Sequence, residues 1–211
     1  MDKLPSVPYT PSPAAASSTS TSTPDPGRTP FKYKCMLRDD TRGTTFLARL
    51  DSGANIVVKY VERYGVEVHR TLADAGYAPK LLYFGSPYPD IAGYSYTGAH
   101  MVVMEYIEGE TSPESLTEDE CDALSDAVDV LHRAGYVNGD VRVLNLILPV
   151  DGGVKIIDFD WAGKDGEVVY PSDLTEGVVW HPEVDPKSQR TLIAIRKEHG
   201  RFMLRQLLSE V

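Results

Sequence analysis

Short runs of β-branched and aromatic residues dominate the chain from residue 31 to about residue 106. Runs of this kind, bounded by glycine, proline and aspartate, are typical of β-strands. A helix is predicted between the second and third runs, over Glu62–Ala75, because Gly76 and Pro79 supply stop signals after it. The four predicted strands are Thr45–Leu50, Asn55–Tyr60, Leu81–Phe84 and Met101–Tyr106.

The second half of the chain begins with a clearer helix. Thr117 and Glu120 have the spacing of a capping box. An apolar stripe at helical spacing follows them, and Gly135 ends the helix. The elements predicted after it are two hairpin strands, Leu144–Leu148 and Val154–Asp158, and a helical region from Pro186 to Glu210 with a break at Gly200.

This order of elements predicts the fold class. Strands with one inserted helix come first, and a helix, a hairpin and more helix follow. Such an order indicates an α+β arrangement in two lobes, of which the first is small and rich in strands. We expect a small ligand to bind at a boundary between lobes, where clefts usually form.

Residues 1 to 30 differ in composition from the rest of the chain. They contain seven proline, six serine and five threonine residues, which favour turns and solvated backbone over packing. We therefore predict a disordered tail over residues 1–30 and one domain over residues 31–211. A chain of 211 residues, 42% of them hydrophobic, is long enough for one domain core but not comfortably for two.

Charge and cysteine content narrow the class of protein. The formal net charge of −10 argues against a nucleic acid partner, because the phosphate backbone would be repelled. Cys35 and Cys121 form no disulfide or metal-binding pattern, which favours a reducing compartment. No apolar stretch has the length of a signal peptide or a membrane span. We expect a soluble protein, cytoplasmic or otherwise intracellular, with no membrane partner.

Side chains with oxygen ligands gather near the predicted hairpin. Asp140 and Asn145 lie five positions apart in the loop between the capped helix and the first hairpin strand, so both can face one pocket. Asp158 follows at the end of the second hairpin strand. Because magnesium prefers hard oxygen ligands, Asn145 and Asp158 form a candidate magnesium site.

A lysine in an apolar strand supplies a candidate cation for phosphate. Lys59 follows Ile56, Val57 and Val58, and a lysine buried in such a strand needs a partner. Glu67 on the next helix is the natural candidate. Phosphoryl transfer requires a cation on the phosphates, a metal ion and a carboxylate that orients the attacking hydroxyl, and the chain offers residues for all three.

In this order, the residues resemble the protein-kinase-like superfamily over roughly residues 40 to 165. The resemblance is closest to compact protein-kinase-like domain proteins of fungi, and residues 64–73 and 157–163 carry that narrower similarity. It implies a two-lobed protein-kinase-like fold with a small β-rich N-lobe and a truncated helical C-lobe. The segments that carry the wider resemblance are Val58–Lys59, Glu67, Met101–Ile107, Gly139–Asn145 and Asp158–Phe159.

The resemblance also implies which residues hold the nucleotide. Lys59 would bind the α- and β-phosphates of ATP, and Glu67 would pair with Lys59. The adenine edge would meet the backbone carbonyl of Glu105 and the backbone N–H of Ile107. Met104 would line the adenine pocket.

The catalytic roles are likewise implied by the resemblance. Asp140 would orient the acceptor hydroxyl, and Arg142 would lie near the transferred phosphate. Asn145 and Asp158 would hold Mg²⁺. The predicted function is an ATP- and magnesium-dependent phosphotransferase, with a serine or threonine of a protein as the leading acceptor.

Two departures from the superfamily leave alternatives open. Leu37–Thr45, where a glycine-rich phosphate loop is expected, contains only Gly43. Asn138 and Gly139 precede Asp140 where typical members have histidine and arginine. Gly139 and the short C-terminal part favour a small-molecule kinase. The missing glycine-rich loop favours a pseudokinase, which would bind nucleotide or a partner without turnover.

Overall fold

The computed structural model describes residues 6–7, 29–40, 43–87, 98–172, 174, 177–184 and 193–210. The chain divides into two compact units. The first contains residues up to Glu62 together with Leu81–Tyr106, and the second contains Arg63–Lys80 and the chain from Ile107 onward. The mixture of helix and sheet, with strands concentrated in the first unit, is compatible with the predicted α+β class.

The first unit is an antiparallel sheet of six strands in the order β1-β2-β3-β4-β6-β5. The four strands predicted in this region are confirmed, with ends that differ by at most two residues. Side chains along a strand point alternately to the two faces of the sheet. One face of this sheet carries a cluster of buried apolar side chains that includes Phe31, Ile56 and Val103. The strands are β1 Ser6–Val7, β2 Thr29–Asp40, β3 Gly43–Leu50, β4 Asn55–Val61, β5 Leu81–Gly85 and β6 His100–Glu105.

The long strand β2 was not predicted from the sequence. Residues 32–38 are exposed, and shifts of register between Tyr33 and Cys35 and between Met36 and Arg38 interrupt the alternation that marks a strand. β2 and β3 pair as far as Asp40 and Gly43, so strand structure occupies most of the segment where a phosphate loop was sought.

The sheet also includes part of the predicted tail. β1 pairs with the start of β2, where Ser6 lies opposite Pro30 and Val7 opposite Thr29. Four residues of the range 1–30 therefore belong to strands. Residues 1–5 and 8–28 lie outside the described residues, and there the tail stays a prediction.

The second unit contains the helices α1 to α3, a three-stranded sheet in the order β10-β9-β7, and a pair formed by β8 and β11. Its core joins apolar side chains of all three helices with those around the predicted hairpin. The hairpin is confirmed by the antiparallel pairing of β9 with β10, although both strands are shorter than predicted. The elements are α1 Val66–Asp74, β7 Gly109–Thr111, α2 Glu118–Arg133, β8 Tyr136–Asn138, β9 Leu146–Pro149, β10 Lys155–Ile156, β11 Ala162–Lys164 and α3 Lys197–Glu210.

Helix α2 has the predicted capping box. The Thr117 hydroxyl accepts a hydrogen bond from the backbone N–H of Glu120 at 3.3 Å, and the Glu120 carboxylate accepts one from the N–H of Thr117 at 2.7 Å. The helix buries Leu124, Val128 and Leu131 along one face. Two N–H groups that the helix cannot satisfy internally are thus bonded at its start.

The predicted break at Gly200 is wrong, because α3 runs through this residue without interruption. A Cβ atom at Gly200 would lie 3.3 Å from Nε2 of His132 and 3.4 Å from the backbone oxygen of Asn138. The glycine therefore permits α3 to approach α2 and β8 closely. The predicted start of this helical region at Pro186 lies outside the described residues, and α3 begins at Lys197.

Two sequence expectations concern cysteines and membrane spans. Both thiols are free, with Cys35 exposed and Cys121 half-buried. Over the part of the chain that the structure describes, no helix has both the length and the apolar character that crossing a bilayer requires.

The capping box gives a test of what fixes the start of α2. Thr117→Ala should lower the free energy of unfolding by about 1 kcal/mol, because the N–H of Glu120 loses its acceptor. Thr117→Ser keeps an acceptor and should cost much less. Urea denaturation of these variants, of Glu120→Ala and of the double variant measures the effect. If the losses in free energy of unfolding caused by Thr117→Ala and Glu120→Ala simply add in the double variant, the two residues are not coupled and the capping box is contradicted.

Candidate active site

Asp140 lies in a loop that the neighbouring elements hold in place. The Asn138 side chain, at the end of β8, accepts a hydrogen bond from the backbone N–H of Asp140 at 3.0 Å. The N–H of Gly139 donates to the carbonyl of Trp161 at 2.9 Å. A 3-10 turn over Val143–Asn145 closes the loop. The backbone around Asp140 is therefore fixed on both sides.

The Asp140 carboxylate is bonded to two side chains of its own loop. Asn145 donates from Nδ2 to Oδ2 and to the backbone oxygen of Asp140, at 2.8 Å in both cases. Arg142 donates from Nη2 to Oδ2 at 2.7 Å, and its Nε lies 2.6 Å from Oδ1 as an ion pair. Because Nδ2 of Asn145 faces Asp140, the amide oxygen Oδ1 points away from that carboxylate and is suited to bind a cation.

Asp158 is brought next to this loop by one backbone hydrogen bond. The N–H of Ile157 donates to the carbonyl of Asn145 at 2.9 Å. Asp158 itself has a φ of +67°, a left-handed conformation that is uncommon for residues other than glycine. Phe159, which follows, is fully buried. Asp158 therefore lies at a sharp turn of the chain. Ile157 before it is held by its backbone hydrogen bond, and Phe159 after it is held by burial of its ring.

Burial has the largest effect on the pKa of Asp140. Its removal from solvent raises the pKa of the carboxyl above its ordinary value, and Arg142 and Asn145 act in the opposite direction. The negative charge of Asp158 raises the Asp140 pKa further. The carboxyl therefore binds a proton more readily than an exposed aspartate does.

A buried histidine supports the segment that carries Asp158. Nε2 of His69 lies 2.7 Å from the carbonyl of Pro79, which can only accept, so this nitrogen carries the proton. Nδ1 then accepts the hydroxyl hydrogen of Tyr64 at 2.8 Å. The imidazole stacks on Phe159, with ring centroids 4.7 Å apart and planes at 19°. Burial lowers the pKa of His69 to about 4.

The first turn of α1 is tied to the same segment. The N–H of Gly65 donates to the carbonyl of Phe159 at 2.8 Å, and a Cβ at Gly65 would lie 2.6 Å from the carbonyl oxygen of Ala162. This contact explains why α1 begins at Val66 rather than at the predicted Glu62. No spacing in the sequence indicated that His69 or Gly65 would support Asp158.

Three of the residues predicted to bind nucleotide lie on β6, the last strand of the first unit, or shortly after it. Met104 is buried on β6, Glu105 ends that strand and is exposed, and Ile107 is the half-buried first residue of the second unit. Lys59 lies on β4, which pairs with β3 and β6, so it is on an interior strand and is buried. Lys59 lies opposite Val102, and alternation therefore places it on the same sheet face as Met104.

Glu67 lies in the first turn of α1, where its side chain is 62% exposed. Its carboxylate accepts a hydrogen bond from Arg70 of the same helix at 2.8 Å. The structure therefore brings together Asp140, Arg142, Asn145 and Asp158 within the second unit. The pairing of Glu67 with Lys59 and the nucleotide roles of the other residues stay predictions.

A second polar cluster joins His181, Glu183 and His199, whose ligand atoms lie within 4.8 Å of one another. The backbone N–H groups of Glu183 and Arg196 donate to Nδ1 of His181 and His199 respectively, at 3.3 Å each. In the neutral rings this arrangement favours the tautomer with the proton on Nε2, and a metal ion at Nε2 would have to displace that proton. Nε2 of His199 instead faces the Glu183 carboxylate at 3.6 Å.

Comparison with known proteins gives partial similarities to kinases. No family model matches the chain. It is 28% identical over 97 residues to Serine/threonine-protein kinase CST20 of Candida albicans, which covers 40% of this chain and 8% of that protein. It is 31% identical over 87 residues to Serine/threonine-protein kinase STE20 of Kluyveromyces lactis, covering 37% of this chain and 9% of that protein.

A bacterial protein shows the same kind of similarity. Serine/threonine-protein kinases PknA of Corynebacterium glutamicum is 31% identical over 81 residues, covering 34% of this chain and 17% of that protein. The chain thus spans less than a fifth of the length of each of these three relatives. The similarities support a distant kinase-like relationship for about two fifths of the chain.

His69 makes the stability of the protein depend on pH in a defined window. Because its pKa is lowered in the folded state, the unfolded chain binds more protons between about pH 6.5 and pH 4. The contribution is fully present above pH 6.5 and is lost as the pH falls to 4, up to about 3 kcal/mol. Urea denaturation at pH 7, 5.5 and 4.5 measures this loss.

His69→Gln removes one titrating group and should reduce the dependence in that window, leaving the part due to His132 and His199, whose pKa values burial also lowers. His100→Gln is the matched control, because His100 is exposed on β6. Equal pH dependence in the native protein and in His69→Gln would show that the imidazole is not the group responsible.

Proposed function

We propose that this chain is an ATP- and magnesium-dependent phosphotransferase with a serine or threonine of a protein as its acceptor. The observation that carries the proposal is the cluster of Asp140, Arg142, Asn145 and Asp158, held by hydrogen bonds within one loop and the adjoining segment. The partial similarity to serine/threonine protein kinases supports the same reaction class.

The donor set around Asn145 fits magnesium. Mg²⁺ in phosphoryl-transfer sites is held by one or two carboxylates together with substrate phosphates and water. The Asp158 carboxylate supplies one such ligand, and the Asn145 amide oxygen, which faces away from Asp140, supplies a second. When bound, the ion would neutralise negative charge on the phosphate oxygens.

Asp140 would act on the acceptor hydroxyl. Its carboxylate accepts a hydrogen bond from the hydroxyl and orients the oxygen toward the γ-phosphorus of ATP. As the new oxygen–phosphorus bond forms, the bond between the γ-phosphorus and the bridging oxygen breaks, and ADP leaves with the electron pair. The hydroxyl proton passes to Asp140. The raised pKa of this carboxyl favours proton acceptance.

Arg142 would serve both the resting and the reacting site. In the structure its guanidinium contacts both oxygens of Asp140 and compensates the charge of this buried group. A planar guanidinium binds phosphate with the same two-pronged geometry. The side chain would therefore turn from Asp140 toward the transferred phosphate when ATP binds.

The nucleotide residues keep the roles that the resemblance implies. Lys59 would bind the α- and β-phosphates, paired with Glu67. Met104 and the backbone of Glu105 and Ile107 would bind adenine. The burial of Lys59 on an interior strand supports a fixed position for its ammonium group.

A pseudokinase is the second candidate, and two observations favour it. The two contacts from Arg142 occupy the carboxylate that should receive the acceptor hydroxyl. In addition, β2 and β3 form paired strands up to Asp40 and Gly43, where a glycine-rich loop would close over phosphate. Such a protein would bind nucleotide without transferring phosphate.

Nucleotide binding is tested by thermal stability. ATP with magnesium should stabilise the protein by about 2.7 kcal/mol at a hundredfold excess over the dissociation constant, roughly 5–11 °C in Tm. Asp158→Asn should remove the part of this shift that requires magnesium. Asp151→Asn, in the exposed turn after β9, is the matched control and should leave it unchanged. No shift at several millimolar ATP and magnesium would overturn the proposal.

Transfer is tested separately with Asp140→Asn. This variant should keep the magnesium-dependent Tm shift and lose transfer by about a hundredfold or more, because the carboxylate acts on the acceptor and not on ATP. Labelled ATP with mixed proteins and with small hydroxylated metabolites measures transfer, and Asp151→Asn again serves as control. Full binding without transfer to any acceptor by the native protein would favour the pseudokinase. Transfer to metabolites alone would identify a small-molecule kinase.

A further inference from the structure

Tyr170 lies against the loop that carries Asp140, although thirty positions separate the two residues in the sequence. Its side chain is 3% exposed. Its N–H donates to the carbonyl of Ile193 at 2.9 Å, which fixes the backbone at this point. The ring contacts the aromatic rings of Trp161 and Trp180, with centroids 6.1 and 5.9 Å away. These contacts hold the tyrosine ring in one orientation.

The close approach depends on Gly139, the residue before Asp140. A Cβ atom at this position would lie 2.9 Å from Cε1 of Tyr170 and 3.0 Å from Cδ1 of Ile195. Cε1 is bonded to the ring carbon that carries the hydroxyl. The hydroxyl-bearing end of the ring is therefore the part that lies next to the Asp140 loop.

The Tyr170 hydroxyl is buried and has no hydrogen-bond partner among the described residues. Leaving such a group unbonded is costly, and a buried hydroxyl in a native protein usually has a partner in some working state. Burial, and then the charge of Asp140, raise the pKa of Tyr170, so the group stays protonated and can donate.

The Asp140 carboxylate has room for one more donor. Oδ2 accepts from both Arg142 and Asn145, whereas Oδ1 has only the ion pair with Nε of Arg142, whose N–H does not point at it as a hydrogen bond requires. A carboxylate oxygen accepts two hydrogen bonds. If Arg142 turns toward phosphate, Oδ1 loses the one cation that the described residues place beside it and becomes a buried acceptor.

We propose that Tyr170 is a positioning residue for Asp140, whose hydroxyl donates to Oδ1 when Arg142 leaves the carboxylate. The inference rests on the proposed function for the role of Asp140. With Asn145 on one oxygen and Tyr170 on the other, the carboxylate stays ionised and correctly turned while Arg142 is engaged elsewhere.

The rings around Tyr170 pack as an aromatic cluster, which the titratable ring of His199 joins with its centroid 5.7 Å from that of Tyr170. The three rings of Trp161, Tyr170 and Trp180 lie about 6 Å from one another, centroid to centroid, at tilted or edge-on angles. This is the contact distance of packed aromatic rings. The cluster therefore supports the tyrosine ring and leaves the hydroxyl as its functional atom.

The test measures the pKa of the Asp140 carboxyl directly, by carbon-13 NMR, and needs no nucleotide. Arg142→Met removes the guanidinium, so that the tyrosine hydroxyl becomes the donor to Oδ1. Adding Tyr170→Phe in this background should raise the Asp140 pKa by about one unit, because a hydrogen bond to the charged form is lost. In the presence of Arg142 the same substitution should have a smaller effect.

Two further variants separate the hydroxyl from the ring. Ile195→Val loosens the packing beside Gly139 but removes no donor, and it should leave the Asp140 pKa unchanged. Replacing Tyr170 with 3-fluorotyrosine keeps the ring and strengthens the O–H donor, so it should lower the Asp140 pKa in the Arg142→Met background. This variant decides the question if Tyr170→Phe fails to fold.

An Asp140 pKa that is the same with tyrosine, phenylalanine and fluorotyrosine at position 170 would overturn the inference. So would an equal change in Ile195→Val. If the native protein transfers phosphate, Tyr170→Phe should also move the acid limb of its pH profile upward. Failure of nucleotide binding or transfer would overturn the proposed function and leave the carboxyl titration to decide on Tyr170.

Discussion

The side chain and backbone of Asn145 join the parts of the candidate site. Its amide nitrogen binds the backbone and the carboxylate of Asp140, and its carbonyl accepts the N–H of Ile157, the residue before Asp158. The positions of both aspartates therefore depend on one buried residue. The amide oxygen is directed away from Asp140 by the same bonds, so under the proposed function the interaction that builds the loop would also present a ligand for the magnesium ion.

This arrangement concentrates negative charge in a protein that already has a net charge of −10. Asp140 is buried, and the charge of Asp158 raises its pKa further. In the structure Arg142 is the described cation that compensates Asp140. Two neighbouring carboxylates of which one is poorly solvated favour a bound divalent cation on electrostatic grounds. Burial is the larger cause of the raised pKa and the charge of Asp158 a smaller one, and under the proposed function a magnesium ion would offset that charge.

The sequence predicted what depends on local pattern. The capping box at Thr117, the hairpin after Asn145 and four strands of the first unit follow from residue type and spacing, and the structure contains all of them. Strand β2 was missed because its register shifts interrupt the alternation. The continuity of α3 at Gly200 and the supports for the site, His69 on Phe159 and Tyr170 on Gly139, depend on contacts between distant segments, which no local pattern encodes.

Gly139 differs from the arginine that the superfamily usually has at this position, and a contact with a distant part of the chain gives a reason for the difference. Taken alone, a glycine before Asp140 instead of the usual arginine suggests a different acceptor or a degraded loop. In the structure the space beside Gly139 is filled by the rings and methyl groups of Tyr170 and Ile195, at 2.9 to 3.2 Å from a Cβ position. A larger residue at 139 and the present Tyr170 exclude each other, since packed interiors do not absorb such overlap without backbone movement. The glycine is therefore matched to a tyrosine thirty-one residues later, and the departure is a packing solution around an intact carboxylate rather than evidence that the carboxylate has lost its role.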